Sequence, residues 1–142
     1  MQESSATTEH LDRLRVSARN ARLEAVSARR LASDLDLRRE LMVHRVDESR
    51  VRHVAEVWSS AAATRSRDEL VHRVTGWLEH SAQSLRDTSV ALEHEARRLE
   101  SVAWSRAQQA DVVEEDLARE AVAVAEDQAA RIRSVSRTSL PG

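Results

Sequence analysis

Apolar residues recur every three or four positions from about residue 8 to about residue 135, and the pattern is clearly interrupted only at Trp58-Ser59-Ser60. Such spacing keeps one face of an α-helix apolar, so the chain is expected to form two helical arms joined at that interruption. In the first arm Leu11, Leu14, Ala18, Ala21, Ala25, Ala28, Ala32 and Leu35 alternate steps of three and four, the signature of a coiled-coil seam. Beyond Leu35 the phase is expected to slip through residues 36–40, with a kink or stutter, and a broader stripe of Leu41, Val43, Val46, Val51, Val54 and Val57 to take over. In the second arm Leu78, Leu85, Leu92 and Leu99 are spaced by sevens, with Ala82, Ser89, Ala96, Ala103 and Ala110 on the complementary row. Small residues on one row and leucines on the other describe helices in close antiparallel contact.

End signals place the first arm's start at Thr7 or Thr8, either of which suits an N-cap, with Glu9 and Asp12 in its positive first turns. Ser66-Arg67-Asp68-Glu69 reads as a capping box opening the second arm. The expected fold is therefore all-α: a long antiparallel helical hairpin, coiled-coil-like, with a C-terminal helical extension. Arm one covers about 8–57, the turn about 58–66, arm two about 67–110 and the extension about 111–135, in a single helical domain. Folding about residue 62 sets Leu35 near Ser89, Ala28 near Ala96, Ala21 near Ala103 and Leu11 near Val113. The remainder, Leu117, Ala121, Val124, Ala125, Ala129 and Ile132, keeps an apolar face that one hairpin does not cover. It is expected to turn back near residues 108–111 as a third helix or to pair with another chain.

Composition narrows the class. The 142 residues suffice for one modest core. There is no Phe, Tyr or Cys, one proline (Pro141) and one glycine (Gly76) before the last residue, so the β-branched and aromatic runs bounded by turn residues that make strands are missing. A net charge of −2, with arginines and acids interspersed, gives no basic face for nucleic acid or an anionic membrane. No apolar run approaches the roughly 18 residues of a membrane-spanning helix, and the first residues lack the basic and apolar parts of a secretory signal. Neither nucleic acid nor membrane insertion is expected.

Chemistry is sparsely signalled. Glu69 and His72 form a single Glu-x-x-His pair, where a di-iron bundle requires two such pairs and two further inward carboxylates. The histidines, at 10, 44, 53, 72, 80 and 94, are too scattered to share a ligand, and no phosphate loop, nucleophile elbow or paired-cysteine motif is present. No enzyme, metal or cofactor is expected. The tryptophans carry more. Trp58 stands at the turn as an anchor; Trp77 joins Leu70 and Val74 in a short second stripe off the seam; Trp104 lies between Arg97 and Asp111, its neighbours seven residues away, and should be exposed. Gly76 beside Trp77 would permit close approach of a second helix.

Trp58-Ser59-Ser60 at the turn, the run Trp77-Leu78-Glu79-His80-Ser81-Ala82-Gln83-Ser84-Leu85, and Trp104-Ser105-Arg106-Ala107-Gln108 together resemble the WXG-motif helical hairpins of the type VII (ESX) secretion system over roughly residues 20–108. Ser60 stands where that family has glycine, Trp104 where its export signal Tyr-x-x-x-Asp/Glu has the aromatic, and Gln108 where it has the acid. The resemblance implies a protein secreted without a cleavable signal peptide, or associated with secretion. It further implies homo- or hetero-dimeric pairing with itself or a related helical hairpin in a four-helix bundle, and no enzymatic role. Trp58, Ser60, Trp77, Trp104 and Gln108 are then the motif or partner-binding residues. Without the resemblance, the same helices describe an intracellular, cytoplasmic structural or adaptor coiled coil.

Overall fold

The computed structural model describes residues 2–55 and 61–139, with side chains described for 5–48 and 64–139. Two helices account for nearly all of it: α1, Gln2–Ala55, and α2, Ala61–Thr138. Every described residue except Ser139 is helical, and the two helices pack against each other as an all-α hairpin. The expected turn anchor Trp58, with Ser59 and Ser60, lies outside the described residues.

Both helices start earlier than their cap signals suggest. α1 already runs at Gln2, so Thr7 and Thr8 lie within it. Residues 3–6, Glu-Ser-Ser-Ala, contain nothing that opposes helix, and a capping residue marks an end only where the upstream chain leaves the helix. α2 likewise begins at Ala61, and Ser66 and Glu69 fall inside it, because Ala61-Ala62-Ala63 is among the best helix-forming runs available. The expected reversal near residues 108–111 does not occur. Gln108-Gln109-Ala110-Asp111 holds no breaker, Ala110 is buried on the seam, and α2 continues through it for 78 residues in all.

The chain divides into two compact units, Leu23–Leu99 and the combination of Met1–Arg22 with Glu100–Gly142. In the first of these, Ala25 and Ala28 of α1 and Ala96 of α2 form a buried cluster flanked by Leu92 and Leu99, so the pairing of Ala28 with Ala96 is found as the heptads imply. Ala96 has no exposed surface at all. Methyl side chains leave the backbones close enough for Ser89, itself buried, to donate its hydroxyl proton to the Ala32 carbonyl at 3.2 Å. Ser89 was expected beside Leu35; its bond to Ala32 lies about one turn closer to the start of α1.

The phase slip after Leu35 is absent. Adding the same alternating steps to Leu35 leads to Arg39, Met42 and Val46; the first two are half-buried and Val46 is buried, whereas Leu41 and Val43 of the expected replacement stripe are exposed. α1 is unbroken there. An arginine on the seam disguised a continuous heptad as a shifted one.

In the other unit Leu11, Ala18 and Ala21 of α1 and Ala103 and Ala110 of α2 are buried. Polar contacts flank them: Arg15 pairs with Glu114 at 2.6 Å, and Arg106 donates to the Ser17 hydroxyl. From residue 118 to residue 139 every residue is exposed, so nothing in the unit covers this last stretch of α2. Among the described residues no helix is long and apolar enough to cross a membrane.

Candidate interaction surfaces

The seam fixes where every other side chain points. Because Leu99, Ala103 and Ala110 face α1, Trp104 is carried off the seam, and it is 67% exposed. It borders a shallow, mostly apolar groove in its own unit, formed with Leu14 and His10 of α1 and with Gln108, Val112 and Val113 of α2. Val112 is exposed like the tryptophan, and the groove joins an aromatic plate to aliphatic walls with an amide at its edge. Of the two polar neighbours, Gln108 lines the groove, whereas Arg106 is turned toward Ser17 within the hairpin.

Trp77 occupies the equivalent off-seam position in the unit Leu23–Leu99. It is 66% exposed, and its stripe companions Leu70 and Val74 are exposed with it, while Val71 and Leu78 are half-buried. Gly76 makes no close approach: a β-carbon built there would meet nothing within 4 Å. Trp58 and Ser60, the remaining motif positions, lie outside the described residues.

A third surface was not anticipated from the sequence. Arg39, Val43, Val46 and Asp47 of α1 and Leu78, Ala82 and Arg86 of α2 line a groove within the unit Leu23–Leu99. The Arg39 Nε is shut off from solvent there and has no hydrogen-bond partner among the described residues. Extending the heptad past Leu35 would have placed Arg39 on the seam and flagged it.

Electrostatics are those of solvated helix faces. The clearest perturbation is the exposed pair Glu95 and Arg98, bonded through both guanidinium nitrogens at 2.8 and 2.6 Å. The hydrogen bonds and charge of Arg98 hold the Glu95 carboxyl below the usual carboxylate range, and the carboxylate raises Arg98 in return. Among the described residues no three His, Cys, Asp or Glu side chains stand close enough to hold a metal ion, and Glu69 and His72 are both exposed on α2.

The fold and these surfaces together define a helical hairpin whose seam is built of alanines and whose bulky side chains face outward. Compared with known proteins, the chain matches no family model, no curated protein and no solved structure.

Proposed function

We propose that this chain is a non-enzymatic helical-hairpin protein that docks a helical partner on the Trp104 flank of α2, and that the partner is a related small hairpin of the type VII secretion kind. The observation that carries the docking is Trp104 itself, two-thirds exposed on a helix held in place by Ala103 and Ala110 beneath it. Covering the exposed part of such a ring removes on the order of 130 Å² of mostly apolar surface from water, about 3 kcal/mol before the ordering costs of association. The kind of partner rests on the motif resemblance at Trp58-Ser59-Ser60 and from Trp104 to Gln108.

Trp104→Ala, introduced into the full chain in its source organism, should abolish capture of the partner by cross-linking and remove the protein from the culture medium. Thermal unfolding of the purified variant should stay within about 0.5 kcal/mol of the parent, as expected for an exposed side chain. Partner capture and export at parental levels would overturn the proposal. A second reading, an intracellular structural or adaptor coiled coil, is favoured by the unbroken 78 residues of α2. It requires the chain to remain in the cytoplasm whether or not Trp104 is present.

A further inference from the structure

The last stretch of α2, residues 118–138, is helical throughout and exposed throughout. Its polar and apolar positions are nonetheless ordered. Ala121, Ala125, Gln128, Ile132 and Val135 follow one another at steps of four, three, four and three, so a single face carries four apolar side chains and one amide. Ile132 is 67% exposed and Val135 62%.

Two gradients run along this face. Residues 118–127 hold one arginine, Arg119, against Glu120, Glu126 and Asp127, a net charge of −2, whereas residues 128–138 hold Arg131, Arg133 and Arg137 and no acid, a net charge of +3. Side-chain size changes in the same direction, from Ala121 and Ala125 to the branched Ile132 and Val135.

We infer that residues 118–138 are a self-association surface, on which a second copy of this chain lays the same stretch antiparallel with the two-fold axis beside Gln128. In that arrangement the acidic half of each copy meets the basic half of the other. Ala121 faces Val135 and Ala125 faces Ile132, so each branched side chain meets a methyl, and the two Gln128 amides meet at the axis. A parallel pair would stack arginine on arginine and isoleucine on isoleucine. The charge pattern thus selects both the partner and its direction, as flanking charges do in coiled coils generally. The contact runs about 31 Å, 21 residues at 1.5 Å each. It is separate from the Trp104 groove, and the two readings fail separately.

The chain has no cysteine, so single cysteines report the geometry directly. In the full-length protein Gln128→Cys should cross-link to itself under mild oxidation. Ala121→Cys should not, because two copies of that position lie about 21 Å apart, far beyond disulfide reach; mixed with Val135→Cys it should cross-link. Sedimentation at micromolar concentration should give a dimer. A triple variant, Arg131→Glu with Arg133→Glu and Arg137→Glu, should weaken self-association at least tenfold. Mixing it with the reciprocal variant, Glu120→Arg with Glu126→Arg and Asp127→Arg, should restore dimers. A monomer at all concentrations, a self-cross-link through Ala121→Cys, or a dimer indifferent to the charge changes would each overturn the inference. Loss of the dimer with Trp104→Ala alone would place association at the groove instead.

Discussion

Replacing Gly76 by alanine should make the isolated protein more stable. Gly76 lies well inside α2, its φ is not positive, and an added β-carbon would meet no atom within 4 Å. The substitution therefore adds no clash and removes no contact, and its effect reduces to the backbone freedom that glycine retains in the unfolded chain and loses in a helix. That difference is about 0.5–1 kcal/mol in alanine's favour. Using about 2.1 cal/mol/K per residue for the unfolding entropy, 142 residues give roughly 0.3 kcal/mol/K, so Tm should rise by about 2–3 °C. Differential scanning calorimetry on dilute protein measures this directly, and urea titration should show the same gain with an unchanged slope. An unchanged or lower Tm would refute the reasoning, because it would require a second helix to sit against Gly76 and Trp77 in solution. The concentration dependence of Tm would then expose that contact.

Three further outcomes follow from the seam and its flanks. Ala96→Leu forces a larger side chain into a site with no exposed surface and should cost about 1–3 kcal/mol, measured by urea unfolding; a neutral result would mean the helices separate there without penalty. Arg39→Met keeps the apolar stem while removing a buried, unpartnered donor, and should stabilise by on the order of 1 kcal/mol; a clear loss would show that the guanidinium holds a partner in solution. Glu95 has its folded pKa lowered, so its contribution to stability is present above the unfolded value of 4.5 and is lost as pH falls through the lower folded value. Arg98→Ala should return the Glu95 titration, followed by carboxyl NMR, to the ordinary range, and an unchanged titration would show that the pair does not persist in solution.

The heptad rows made the hairpin readable because alanine and leucine at a strict spacing leave few alternatives. Ser89 was recognised on the seam despite its hydroxyl, since its neighbours at three and four residues were apolar on both sides. Arg39 was not, because a charged residue at one position, with Leu41 and Val43 nearby as decoys, imitates a change of phase. Burial by the aliphatic stem of arginine, with its charged end outward, is what the apolar-or-polar alphabet fails to encode. Helix ends were misplaced for a related reason: Thr8 and Ser66 have cap chemistry, but no residue upstream forces the helix to stop. Exposure of Trp77 and Trp104 was legible from their phase against the seam. What docks on them was not, since a surface contact leaves no mark on the backbone pattern of the chain that offers it.

The distribution of bulk argues that the hairpin is built to be completed by other chains. Among the described residues nine of the eleven buried apolar side chains are alanines, and no large side chain is fully buried. A buried alanine removes little more than one methyl group from water, on the order of 1 kcal/mol, so this seam supplies closeness more than hydrophobic energy. The larger apolar groups, Trp77 and Trp104 among them, as well as Ile132 and Val135, all face outward. Moving any one of them inward would require the backbones to separate, and separation would lose the contact by which the Ser89 hydroxyl reaches the Ala32 carbonyl. An alanine seam and outward aromatics are thus two consequences of one choice of interhelical distance. The narrow spacing that holds α1 to α2 leaves the large side chains on the surface, where only a partner removes them from water.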